Sequence, residues 1–110
     1  MAIAVTNIYD LQFIRYAGSD GSYVQTANID ASPTSPLSPN FDSQTWYDNK
    51  GLYPIGTLPS PFTGYYDGQN YTIDNLFINR ITEDNIGLFG HVENAKIRNC
   101  HLVSPYIMGR

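Results

Sequence analysis

Short stretches in which apolar and polar residues alternate fill the second half of this chain, and turn-forming residues separate them. FTGYYDG (62–68), YTIDNLFIN (71–79), IGLFGHV (86–92) and AKIRNCHLV (95–103) are four such β-prone segments. Between them stand Gly68-Gln69-Asn70, Thr82 to Asn85, and Glu93-Asn94, residue types that favour turns over continued strand. Ser22 to Asp30, with Tyr23, Val24 and Ile29, reads as a further strand. Only Thr6–Tyr16 carries a helical period. Ile8, Leu11 and Ile14 share one face, Thr6 or Asn7 is placed to cap, and Asp10 falls in the first turn, where a carboxylate meets unpaired amides. Gly18-Ser19-Asp20-Gly21 ends this helix (residues 6–16).

Ala31 to Asn40 (ASPTSPLSPN) holds three prolines and three serines, which removes backbone donors and restricts the preceding residues. It predicts a surface loop that continues through Phe41–Gly51, since that stretch sustains no period. A loop of this length (31–51) inside a small domain usually has a task of its own.

An internal repeat organises residues 62–103. Laying YTIDNLFI over AKIRNCHL matches Ile73 with Ile97, Asn75 with Asn99, Leu76 with Cys100 and Ile78 with Leu102, at a constant offset of 24 positions (73 to 97). That spacing suits one coil of a solenoid, in which each repeat contacts its neighbours. Successive coils of a parallel β-solenoid lie ~4.8 Å apart, so equivalent side chains form columns. Ile73 and Ile97 are then expected as an apolar column, and Asn75 and Asn99 as an amide ladder at a bend. Asn tolerates the left-handed backbone that a bend requires.

These residues resemble the GLUG-motif repeats of large bacterial surface proteins. The core is Gly87-Leu88-Phe89-Gly90, preceded by Phe62-x-Gly64-x-Tyr66-Asp67-Gly68 and Ile73-x-Asn75-Leu76-x-Ile78; YVQTANID, Trp46 and Pro54-Ile55-Gly56 resemble the usual lead-in. The resemblance spans most of Tyr23 to Leu102 and implies a right-handed parallel β-helix in a secreted or cell-surface, adhesin-like protein. Some relatives also carry IgA-peptidase-like metalloprotease domains. With little more than two coils here, the expectation is a piece of a longer solenoid or a module associating through its C-terminal coil. A third possibility is that Pro105–Arg110 folds back as a lid. The helix at 6–16 would close the other end.

Composition narrows the function. One domain, 1–110, accounts for 110 residues, and charged residues make up 15%, against roughly 25% in an average soluble protein. The net charge is −4, with six Lys and Arg scattered singly, so nucleic-acid binding is not expected. No apolar run approaches the ~20 residues of a membrane helix. MAIAVTNIYD lacks the basic flank and apolar stretch of a signal peptide, leaving a chain that is not exported or one whose signal has been removed. The resemblance implies the latter, with an extracellular or cell-surface location.

Catalytic chemistry is sparse. His91 and His101 lack an HExxH setting or a third ligand spaced to match, and no calcium or phosphate loop occurs, so neither metal nor cofactor is expected. Cys100 stands where the repeat has Leu, which points its thiol inward, with His101 facing the other way. Glycoside hydrolysis needs two carboxyls in one groove. Asp30, Asp67, Asp74 and Glu83-Asp84 are the candidates, but the repeat sets Asp74 beside Arg98, which predicts an ion pair instead of a dyad. Aromatic residues crowd the middle of the chain, and sugars and protein partners both favour exposed aromatic faces. Trp46, Tyr47 and Tyr65 are the candidate ligand-binding residues; of the neighbours Tyr65 and Tyr66, Tyr65 is expected outward.

The expected protein is an all-β, short parallel β-helix acting as a non-enzymatic structural or adhesive module that binds a glycan or another protein chain. The alternatives are a truncated carbohydrate-active β-helix enzyme of tailspike or lyase type, and a self-assembling subunit stacking through open coil ends.

Overall fold

The Asn7 side-chain oxygen accepts the Asp10 N–H at 2.9 Å, and the Asp10 carboxylate reaches back to the Thr6 N–H at 3.0 Å. This reciprocal cap satisfies two amides at a helix start. In the computed structural model, which describes residues 2–17, 21–57, 60–80 and 86–109 (the side chains of 16 and 17 excepted), that helix, α1, runs Ile8–Ala17. Ile8, Leu11 and Ile14 are buried, as their spacing predicts. The expected stop at 18–20, the turn at 82–85 and the acids Glu83-Asp84 lie outside the described residues.

Strands dominate the remainder: β1 (Ile3–Val5), β2 (Ser22–Gln25), β3 (Ile29–Asp30), β4 (Tyr65–Asp67), β5 (Thr72–Asp74), β6 (Phe77–Arg80), β7 (Lys96–Arg98), β8 (His101–Val103) and β9 (Tyr106–Gly109). They form three small sheets, ordered β1-β2-β4-β7, β3-β5-β8 and β6-β9. Every strand pairing in them is parallel. The expected all-β class holds. The segments at 71–79 and 95–103 are each divided by a corner residue: Asn75 parts β5 from β6, and Asn99 parts β7 from β8, with φ of 62° and 54°. Gly87-Leu88-Phe89-Gly90 forms no strand and contributes only an isolated bridge, Ile55 to Phe89. Residues Tyr106–Gly109, one candidate for a lid, instead pair in parallel with β6.

The register corrects the expected columns. Ile73 pairs with Leu102, 29 positions on (73 to 102), and Ile97 pairs with Tyr66, so Ile73 and Ile97 belong to different sheets. Asn75 and Asn99 likewise form no ladder: the Asn75 N–H donates to the Val103 carbonyl, and Asn99 lies against Gly68 and Asn70. The matched motif is real as local structure, strand then left-handed Asn then strand, but it marks different corners of the winding.

A shorter period sets the true columns. Val92, Ile97, Leu102 and Ile107 are spaced by five, and their partners in the preceding pass are Phe62, Tyr66, Ile73 and Ile78. All four partners are fully buried. Positive φ recurs on the same spacing, at Asn94, Asn99 and Ser104. Above this layer, Tyr23 continues the Tyr66 column and Ile29 the Ile73 column. The core fills the space between the sheets and is closed at the first pass by α1.

Polar side chains inside the fold secure the long connections. Gln25, fully buried, donates to the Ala27 and Thr72 carbonyls and accepts from the Tyr66 hydroxyl at 2.9 Å. Arg80, 4% exposed, donates to the carbonyls of Leu52 and Gly51 and pairs with Asp48 at 3.2 Å, its guanidinium 4.3 Å from the Tyr53 ring centroid. Gly51, with φ of 81°, approaches the Phe77 carbonyl so closely that a side chain there would overlap it.

Candidate functional site

The Pro/Ser-rich segment builds one wall of a lateral cleft of about 300 Å³. The segment opens with a 3₁₀ turn, Ser32–Thr34, whose first amide is held by the Asp30 carboxylate at 3.0 Å. The buried Thr34 hydroxyl donates to the Ala31 carbonyl at 2.6 Å and accepts the Phe77 N–H at 3.0 Å, fastening the loop to the start of β6. Asn40 bonds Ser32 and Ser38 through their hydroxyls, and the Ser35 hydroxyl accepts the Leu37 N–H at 3.1 Å. With prolines at 33, 36 and 39, this wall is fixed before anything binds.

The opposite wall comes from corners of successive passes. Asn75 and Ser104 both have positive φ, and the Tyr106 N–H donates to the Leu76 carbonyl at 2.8 Å. Phe77 and Tyr106 stack face to face, centroids 5.0 Å apart and planes within 8°. Tyr106 is 46% exposed, so part of its ring faces solvent. Among the described residues, the Asn75 side-chain amide and the Ser104 hydroxyl have no protein partner. The lining, among the described residues, carries no charged side chain.

The expected aromatic residues fall elsewhere. Trp46 is fully buried and donates its indole N–H to Gln12 at 2.8 Å, which corrects its assignment to ligand binding. It is enclosed because α1 lies against the loop: Gln12 also bonds the Tyr53 backbone, Arg15 the Pro54 carbonyl, and Tyr9 the Asp42 carboxylate. Tyr47 is 74% exposed, and Tyr65 is half-buried beside the wholly buried Tyr66. Neither Tyr47 nor Tyr65 lines this cleft or the smaller one between β1 and α1.

The acids do not converge in the cleft. Asp30 and Asp74 are register partners on neighbouring strands but line neither wall. In the strand register Arg98 stands beside Asp67, and Asp74 lies between Asp30 and Val103, so Asp74 and Arg98 are not neighbours and the expected ion pair between them is not formed. The Gln69 N–H, with help from the Asn99 amide, holds the Asp67 carboxyl below the usual carboxylate range. Burial raises the Cys100 thiol above its ordinary value, and Cys100 packs against the core. His101 is exposed and bonded to Asn70 at 3.1 Å, while His91 lies 3.6 Å from Glu93. Among the described residues no cluster of His, Cys, Asp or Glu is arranged to hold a metal ion, and no helix is long and apolar enough to cross a membrane.

Gln12, Gln25, Thr34 and Arg80 escaped sequence reading. Gln25 alone left a signal, because it stands two residues after the inward Tyr23 and so occupies an inward strand position. Ser104 was legible only through the five-residue spacing, and Tyr106 left no signal of its own.

No family model matches the chain, and no solved structure matches it. The chain is similar to halomucin from Haloquadratum walsbyi, 37% identical over 98 residues, and to a protein described as a Gly-rich membrane protein from Evansella cellulosilytica, 43% identical over 58 residues. The matches cover 84% and 52% of this chain but only 1% and 7% of those proteins, so the chain spans a small fraction of the curated relatives it matches. Relatives of these descriptions are compatible with a role at the cell surface.

Proposed function

We propose that this chain is a non-enzymatic structural and adhesive module of an extracellular surface protein, built as a short parallel β-helix of the GLUG-repeat kind. The observation that carries the reading is the open layer at its C-terminal side. Ile97 and Ile107 lie under the fully buried Tyr66 and Ile78, yet each is 37% exposed. Val92, under the buried Phe62, is also exposed. Apolar columns that are buried in the preceding pass and end in solvent match a face on which another coil stacks. Similarity to a stretch covering 1% of a much longer protein supports a module within a larger chain.

The occupant of that face is a further coil of the same pattern. Appending a second copy of residues 81–110 covers the open layer, and burying one Ile side chain contributes roughly 1.5–3 kcal/mol. The extended chain is expected to melt at least about 4 °C higher, while the appended coil presents the same open layer in its turn. An unchanged or lower Tm contradicts the reading. Stacking of two copies through the same face would instead appear as sedimentation that depends on concentration. A carbohydrate-active enzyme is the weaker reading, because the adjoining acids Asp30 and Asp74, among the described residues, lie outside the cleft.

A further inference from the structure

The geometry points to the lateral cleft between the Pro/Ser loop and the Asn75–Ser104 corners as a binding site for a neutral saccharide. This names the ligand class and the place of the adhesive role proposed above and rests on that reading; the stacking role stands without it.

Four observations support it. A volume of about 300 Å³ sits at the small end of ligand clefts, roughly 300–1,000 Å³, which suits one or two sugar rings and excludes a folded partner. The lining combines apolar surface from Phe77 and Tyr106 with hydroxyls and an amide from Ser35, Ser38, Asn75 and Ser104. A pyranose presents the same mixture, an apolar C–H face and a rim of hydroxyls, and an aromatic ring with a polar surround is its ordinary complement. Among the described residues no cationic side chain lines the cleft, and the chain carries a net charge of −4, so a uronate or sulfated sugar finds no counter-charge there. The Asn75 side-chain amide and Ser104 hydroxyl, unpartnered among the described residues, stand at one wall while the loop hydroxyls opposite are already oriented by Asn40 and backbone amides. The polar groups of a ligand thus meet donors and acceptors whose positions are set in advance.

The loop wall, Ser32 to Ser38, is bonded to the start of β6 and not to the C-terminal layer, so a further coil on that layer leaves it in place. The test is titration of the isotope-labelled 110-residue chain with a panel of neutral methyl hexopyranosides and, separately, methyl glucuronide, followed by amide NMR. At least one neutral glycoside is expected to shift Asn75, Phe77, Ser104 and Tyr106, with a Kd in the millimolar range, and the glucuronide to bind at least tenfold more weakly. Asn75→Gly and Ser104→Gly remove the polar groups while keeping a backbone that favours positive φ, and each is expected to weaken binding about threefold to tenfold. Shifts confined to other residues, equal binding of the glucuronide, no response to any neutral glycoside at 100 mM, or unchanged affinity in both glycine variants would overturn the inference. A well-dispersed spectrum throughout separates such a failure from a failure of the fold.

Discussion

Tyr66 lies directly above Ile97 in adjacent parallel strands, and only the upper residue is covered: Tyr66 is wholly buried, Ile97 37% exposed. The same contrast holds between Ile78 and Ile107. The stack is therefore closed at one side by α1 and open at the other, and stability should be concentrated in the middle pass.

Tyr66 tests that middle layer. Its hydroxyl donates to the buried Gln25 oxygen at 2.9 Å. Tyr66→Phe leaves that oxygen unsatisfied and is expected to cost about 1–3 kcal/mol in urea unfolding. Burial also raises the Tyr66 phenol well above its ordinary value of 10.0. Below pH 10 the phenol is protonated in both folded and unfolded chains. Above it the unfolded chain releases the proton first, so stability falls as pH rises towards the folded value. Tyr66→Phe should make the alkaline limb shallower, and a limb as steep as that of the unmodified protein would argue against a buried phenol.

Arg80 tests the attachment of the long loop. Removing one partner of a buried ion pair costs about 3–5 kcal/mol, because the other groups lose their partner. Arg80→Ala is expected in that range, since Leu52 and Gly51 also lose a donor to their carbonyls. Asp48→Asn should cost less, because Asp48 is 25% exposed and solvent replaces part of the interaction. Equal losses from the two substitutions would contradict this ordering.

The corner asparagines separate backbone from side-chain effects. At φ of 62° and 54°, Asn75→Ala and Asn99→Ala should each cost about 1–2 kcal/mol, and the glycine variants much less. Asn99→Gly also loses the exposed bond to Asp67 at 3.2 Å. Because the two residues are not stacked, the double alanine variant should be additive within about 0.5 kcal/mol. A larger coupling energy would restore the amide ladder that the register excludes.

How far the sequence disclosed this molecule depends on whether a feature is periodic. The helix face of Ile8, Leu11 and Ile14 was legible because three side chains repeat on one stripe. The left-handed corners at Asn75 and Asn99 were legible because few other residue types accept that backbone. The register was not, since the corner motif occurs more than once per pass and matches itself at the wrong offset. The five-residue spacing of Val92, Ile97, Leu102 and Ile107 held the correct answer. Trp46 misled because an aromatic residue in a polar loop resembles a binding residue, and only the contact with Gln12, 34 positions away, shows it enclosed. Gln25 and Arg80 bond to backbone carbonyls distant in sequence, and such pairings leave no local pattern. The cleft shares this origin, since its two walls are contributed by segments about 40 positions apart, as the Thr34–Phe77 bond illustrates.

The account rests on the stacking register, and methyl NMR reads it directly. In a protein labelled at Ile and Leu methyls, strands about 4.8 Å apart bring column partners within range of cross-relaxation. Contacts are expected between Ile73 and Leu102, between Ile78 and Ile107, and between Ile29 and Ile73. Contacts joining Ile73 to Ile97, or backbone contacts of an antiparallel pairing between β5 and β8, would contradict it.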